Sequence, residues 1–75
     1  MKDLLAILAE ELVDDPSQVE VFSREGDGVV ELEVAVAPED RGRIIGQRGR
    51  TALALRAFLG AVAARQGRSC TVEIR

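Results

Sequence analysis

A run of alternating apolar and acidic residues at positions 29–36 is the feature that most limits what this chain can fold into. Glu31 and Glu33 separate aliphatic side chains, so an extended backbone places the aliphatic groups on one side and the carboxylates on the other. The aliphatic residues are Val30, Leu32, Val34 and Val36. The pattern indicates a strand in a sheet with one buried face and one face in water. Other elements of the chain must then cover the buried face.

Two further segments, 18–23 and 69–75, alternate in the same way and are predicted to be strands. Between the first two strands lies Glu25–Gly28, which contains the residues typical of a hairpin turn, so these strands are expected to pair antiparallel. The third strand follows only after two helices. A connection of that length is typical of parallel neighbours.

Helical spacing of apolar residues predicts a first helix over 2–13 and a long helix over 50–66. A short helix is predicted between them, beginning at Ala37-Pro38 and ending at about Ile45, because proline fits the first turn of a helix. The expected core residues are Leu4, Leu5, Ile7, Leu8 and Leu12 in the first helix and Ala52, Leu55, Phe58, Leu59 and Val62 in the long one.

The chain of 75 residues is long enough for one domain, which is expected to span residues 1–75. The predicted fold class is α+β with the element order α-β-β-α-α-β, in which three helices cover one face of a three-stranded mixed sheet. Phe22 falls on the strand face opposite Val19 and Val21. There it is either a singly exposed apolar residue or a contact for another protein.

Composition excludes several kinds of site. The chain has one cysteine and no histidine, so an intrachain disulfide is impossible and neither a zinc site nor a cofactor is expected. Cys70 lies in an alternating strand and is interpreted as a small buried hydrophobe. No apolar run approaches the roughly 20 residues that span a bilayer, and the start does not resemble a secretory signal. We therefore expect no membrane contact and a cytoplasmic location.

The net charge of −3 hides a strong asymmetry along the chain. Residues 1–40 contain twelve acidic side chains and two basic ones, whereas residues 41–75 contain eight arginines and a single acidic residue, Glu73. An acidic total is therefore no argument against an anionic ligand, provided that the basic half forms one surface.

The most informative segment runs from Arg41 to Thr51 and contains three glycines, four arginines and two isoleucines. Gly46 and Gly49 bracket two residues immediately before the long helix, so the backbone there is free to take unusual conformations and a ligand is free to touch it. The N-terminus of that helix is the positive end of its dipole. Glycines, a helix N-terminus and nearby arginines together predict a phosphate-binding site.

Side chains around this loop are expected to have different roles. Arg43, Arg48 and Arg50 flank or occupy the loop and are predicted to contact phosphates, while Arg41 and Arg56 are each an even choice between contact and solvation. One of the pair Ile44-Ile45 should anchor the short helix to the core, and the other should line a groove for bases. Gly42 is interpreted as a glycine that relieves packing.

The stretch Ile-Ile-Gly-Gln-Arg-Gly at 44–49 resembles the Gly-x-x-Gly loop of KH domains, which joins two helices and holds the backbone of about four nucleotides. The element order resembles the type II KH arrangement, and the whole chain is similar to the small bacterial KH proteins of the KhpA type. This resemblance implies a non-catalytic protein that binds single-stranded RNA, acting as an RNA chaperone or post-transcriptional regulator. The implied RNA-binding residues are Arg43, Ile44, Ile45, Gly46, Gln47, Arg48, Gly49, Arg50, Thr51 and Arg56.

The resemblance also places Ala52 and Leu55 near the groove, although many KH domains have a large aliphatic residue where this chain has Ala52. A second hypothesis is a protein-interaction module that forms a homodimer, or a heterodimer with a larger KH-containing protein. An enzyme or a nucleotide-cofactor protein is the least favoured reading, because the glycine spacing matches neither dinucleotide-binding nor phosphate-loop motifs and no nucleophile–base pair is present.

Overall fold

The computed structural model describes all 75 residues. The three helices are α1 (Lys2–Leu12), α2 (Arg41–Ile45) and α3 (Arg50–Arg65), and the three strands are β1 (Glu20–Gly26), β2 (Val29–Ala35) and β3 (Ser69–Ile74). Short 3₁₀ turns occupy Pro16–Gln18, Pro38–Asp40 and Gln47–Gly49. The predicted α+β class and the order α-β-β-α-α-β are confirmed. No helix has the length and apolar character needed to cross a membrane.

The sheet has the strand order β1-β2-β3, with β1 antiparallel to β2 and β2 parallel to β3, as predicted. The hairpin is tighter than expected, since Gly26 pairs with Val29 and only Asp27 and Gly28 form the turn. Both turn residues have positive φ, 49° and 76°. That geometry matches the right-handed twist of the strands, and it lets β1 continue three residues beyond the predicted end at Ser23.

The core lies between the inner face of the sheet and the helices. Val30, Leu32 and Val34 alternate inward from the central strand β2 and are almost completely buried, as their pattern predicts. The helices contribute most of the other fully buried side chains, which are Leu5, Ala9, Ile44, Leu59 and Ala63. The solvent-facing side of the sheet carries Glu31 and Glu33, also as predicted.

The apolar faces predicted for the first and the long helix include more residues than the sheet buries. Phe58 is 49% exposed and Ile7 is 58% exposed, and Leu12 also lies in water, although all three were expected in the core. A three-stranded sheet covers only a narrow strip of each helix, so residues at the flank of the stripe stay outside. On α3 the buried strip is Ala52, Leu55, Leu59 and Ala63.

Two smaller predictions were also wrong in detail. The expected short helix from Ala37 is divided into the 3₁₀ turn at Pro38–Asp40 and the five-residue α2. Cys70 is only half-buried, because β3 is an edge strand with one neighbour. Burial raises the pKa of the Cys70 thiol above its ordinary value, so the group stays protonated at neutral pH.

Candidate nucleic-acid interface

The loop between α2 and α3 is a tight turn with an unusual backbone. Its first residue, Gly46, has φ 80° and ψ 169°, and Arg48 and Gly49 follow with φ values of 58° and 73°. The Gly46 N–H donates to the Gly42 carbonyl at 2.9 Å, and the Gly49 N–H donates to the Gly46 carbonyl at 3.0 Å. Three of four consecutive residues therefore have positive φ, and internal hydrogen bonds hold them there.

The two loop glycines are required for different reasons. A Cβ on Gly46 would lie 2.8 Å from the backbone nitrogen of Thr51, so the start of α3 leaves no room for a side chain. A Cβ on Gly49 would meet nothing within 4 Å, so only its backbone conformation favours glycine. Arg48 takes the left-handed conformation without being glycine, which costs roughly 1–2 kcal/mol. Such strain persists where the surrounding structure enforces it, and it is concentrated at functional sites.

The N-terminus of α3 faces the same loop. Its N-cap residue is Gly49, no side chain caps the helix, and its first turn contains no acidic residue. The positive end of the helix dipole is therefore not neutralised by the protein itself. That arrangement favours an external anion at the loop.

The arginines of this region fall into two groups. Arg41, Arg48 and Arg50 are exposed and form no ion pair. Arg43, in contrast, lies 2.8 Å from the carboxylate of Asp14 and 3.4 Å from that of Asp40. Arg56 donates from Nε to the Val72 carbonyl at 3.1 Å, which ties α3 to β3. The free positive charge at the loop thus comes from Arg41, Arg48 and Arg50.

The two isoleucines divide as expected. Ile44 is completely buried and anchors α2 to the core, while Ile45 is 36% exposed beside the loop. Gly42 lies three residues before Ile45 and therefore on the same side of the helix. A Cβ on Gly42 would meet no atom of the chain within 4 Å, so packing does not require glycine there and the packing interpretation was wrong. An open apolar strip results, with Gly42 at one end and Ile45 at the other.

The remaining predicted residues lie close to this strip or beneath it. Gln47 is exposed at the tip of the loop, and Thr51 is half-buried beside Gly46. Ala52 and Leu55, expected near the groove, are almost fully buried and belong to the core under the loop.

A buried carboxylate that sequence reasoning did not single out fixes the position of α2. Asp40 is 2% exposed, and its two oxygens accept hydrogen bonds from the backbone N–H groups of Asp14 at 3.2 Å and Asp15 at 3.0 Å. Arg43 pairs with the same carboxylate. The segment after α1 is thereby joined to the start of α2.

Comparisons with known proteins agree with this architecture. Residues 2–74 match the family model of the KhpA/KhpB KH domain. The chain is 43% identical over 74 residues to the RNA-binding protein KhpA of Clostridium acetobutylicum, with 99% of each chain covered. It is 42% identical to the protein of that name from Clostridium perfringens, again over 99% of both chains. The KhpA of Aquifex aeolicus is 39% identical, over 99% of this chain and 94% of the relative.

Proposed function

The chain belongs to the KhpA/KhpB family of KH domains, a non-enzymatic family, and from that premise we propose that it binds single-stranded RNA at the Gly46–Gly49 loop. Its relatives are named RNA-binding proteins. The observation that carries the proposal is the turn of positive-φ residues placed directly at an uncapped helix N-terminus, with Arg48 and Arg50 unpaired beside it.

The phosphate backbone of the RNA lies along the loop and the start of α3. The helix dipole and two arginines favour negative charge at that point. The missing Cβ at Gly49, where nothing of the chain lies within 4 Å, leaves the main chain open to the RNA, so about four nucleotides fit against it. Gln47 at the tip adds an amide donor and acceptor.

Bases lie along the open strip formed by Gly42 and Ile45. The chain has two aromatic residues, Phe22 and Phe58, and neither lies at this loop. Stacking platforms of the kind used by many single-strand binders are therefore lacking there. Aliphatic contact with Ile45 and hydrogen bonds to base edges carry the recognition instead. Weak, broad binding of this kind suits an RNA chaperone or a post-transcriptional regulator.

Fluorescence anisotropy with a mixed-sequence single-stranded RNA tests the site. The variant Gln47→Asp, Arg48→Asp places two carboxylates in the loop and is expected to lose binding, because phosphate would then face negative charge. The matched control is Arg65→Asp, Gln66→Asp, which makes the same change in charge at the exposed far end of α3. Circular dichroism confirms that both variants fold.

Binding by the wild type and by the control variant, but not by the loop variant, supports the assignment. Equal binding by all three proteins would mean that RNA is held elsewhere. Absence of binding even by the wild type would show that the chain alone is not an RNA binder.

A second function, pairing with another KH protein, is supported by an apolar groove between α1 and α3. The groove has a volume of about 330 Å³. Apolar side chains dominate its lining, which includes Leu8, Leu12, Ala54, Leu55 and Phe58. Phe58 projects half-exposed beside it, so one face offers both a pocket and a side chain that fits a pocket. That combination suits a two-fold pairing with a second copy or with a related KH domain.

Pairing would also improve RNA binding, since two linked grooves raise the effective concentration of the second contact. Sedimentation of the RNA-free protein at micromolar concentration is expected to show a dimer that Phe58→Asp converts to a monomer. Phe22→Asp, which alters the other exposed phenylalanine, is the control and should remain dimeric. A wild type that sediments as a strict monomer rules out the homodimer and leaves only a heterologous partner.

A further inference from the structure

The outer face of the sheet, opposite the helices, has no part in either function above. It is a shallow concavity of about 230 Å³. The outward side chains that line it are Phe22 and Arg24 from β1, Glu31 and Glu33 from β2, and Thr71 and Glu73 from β3. This outer sheet face combines an exposed aromatic ring with three carboxylates, of which Glu31 pairs with Arg24 and Glu33 pairs with Arg75.

One row of side chains crosses all three strands. Phe22 is in register with Glu33, and Glu33 is in register with Glu73 on the other side. Like charges directly opposite one another in a sheet are destabilising. Glu73 has no ion-pair partner, so nothing within the chain neutralises it. The row therefore has one carboxylate beside the aromatic ring, Glu33, that is paired with Arg75, and one on the next strand, Glu73, that is unpaired.

A contact within the chain indicates that a guanidinium group fits that row. The guanidinium carbon of Arg75 lies 5.1 Å from the centroid of the Phe22 ring, and Arg75 also forms an ion pair with Glu33. An arginine stacked on an aromatic face and paired with a carboxylate uses the two properties that distinguish guanidinium from ammonium. The Arg75 backbone N–H donates to the Val34 carbonyl at 2.9 Å, but its side chain is 60% exposed, so a competing cation can displace that side chain alone.

We propose that the outer sheet face binds an arginine side chain of a basic partner polypeptide, which takes the place of Arg75 on Phe22 and is held by Glu33 and Glu73. Charge complementarity selects the partner. The acidic face repels phosphate and attracts a basic segment, whereas the arginines at the loop repel such a segment. The face lies on the far side of the sheet from the helices, so it stays open when the loop or the groove between α1 and α3 is occupied.

The test uses two fluorescein-labelled peptides of equal length, an oligoarginine and an oligolysine, with the RNA-free protein at low salt. Wild type is expected to bind the arginine peptide roughly two- to fivefold more tightly, because only guanidinium stacks well on Phe22. Phe22→Leu should remove that preference. Leu53→Ala removes an exposed apolar side chain of α3 and should leave the preference intact.

A second pair of variants tests displacement of Arg75. Arg75→Gln and Arg24→Gln each remove one positive charge from the same face. Only Arg75→Gln vacates the ring, so it should strengthen binding of the arginine peptide more than Arg24→Gln does. Glu73→Gln should weaken binding of both peptides.

Equal affinities for the two peptides, or an arginine preference that survives Phe22→Leu, would overturn the proposal and reduce the effect to general attraction. If Arg75→Gln and Arg24→Gln changed peptide binding equally, displacement of Arg75 would be ruled out. None of these results depends on RNA binding, so the proposal fails or stands independently of the loop.

Discussion

Glycines of this protein differ in what they contribute, although they look alike in the sequence. Gly46 has a backbone conformation that is essentially restricted to glycine, and the start of α3 fills the space where a side chain would lie. Gly42 has ordinary helical surroundings and open space around it. The fold therefore needs Gly46, whereas nothing within the chain requires glycine at position 42.

Gly42→Ala separates stability from binding. Alanine in a helix is favoured over glycine by roughly 0.5–1 kcal/mol, so the variant should be slightly more stable in a thermal melt. The added methyl group lies on the strip proposed for bases, and RNA affinity measured by anisotropy should fall. An affinity equal to that of the wild type would show that RNA does not reach Gly42.

Element α2 is too short to hold its own position. Five residues make little more than one helical turn, and isolated helices of that length are not stable in water. Two contacts orient it, the buried Ile44 side chain and the Asp40 carboxylate at its start. Because the loop continues directly from α2, these contacts also set where the loop lies.

Asp40→Ala should therefore affect RNA binding as well as folding. Loss of the carboxylate leaves two backbone N–H groups without their acceptor, at a cost of about 1–3 kcal/mol in unfolding free energy. We expect RNA affinity to fall more than in Val21→Ala, a core substitution of comparable cost on the edge strand β1. Chemical denaturation and anisotropy on both variants make the comparison. If the two variants bound RNA with equal affinity at equal stability, Asp40 would have only a structural role.

Whole-molecule charge is a poor guide to this protein. Most of the acidic residues occupy the α1–β1 segment and the sheet, with Glu39 and Asp40 just before α2, while unpaired arginines lie around one loop, so a chain of net charge −3 presents a basic surface locally. Short-range fields decide the encounter with an anion, since salt screens charges farther away than about 8–10 Å.

RNA binding should weaken as salt increases, in spite of the acidic total charge. About three phosphate contacts on a single strand give a log–log slope near −2, because each contact contributes roughly 0.7. Arg48→Gln should reduce the slope by about one contact, and Arg65→Gln should leave it unchanged. Anisotropy titrations at several salt concentrations measure both. A slope near zero would exclude phosphate contacts as the main source of affinity.

Sequence patterns predicted those parts of the fold that depend on residues close together in the chain. Alternation identified all three strands, and the connection lengths identified their pairing. The exposed side chain of Phe58 and the buried side chain of Ala63 were not foreseen. Helical spacing shows which side of a helix is buried, but not how wide a strip of that side the neighbouring elements cover. Asp40 was missed for a related reason. Its partners are 25 and 26 residues away, and no local pattern reports such a contact.

The parallel pairing of β2 with β3 has a consequence for how the chain folds. The hairpin strands β1 and β2 are adjacent in the sequence. The pairing of β2 with β3 instead joins Val30 to Cys70, which lies forty positions later in the chain. Non-local pairing slows folding, because the intervening chain must be ordered before the contact is gained. Arg56 on α3 donates to Val72, so the late arrival of β3 also completes the support of the helix behind the loop. We therefore expect a refolding chain to form its hairpin before β3 docks, and to complete the support of the loop only afterwards.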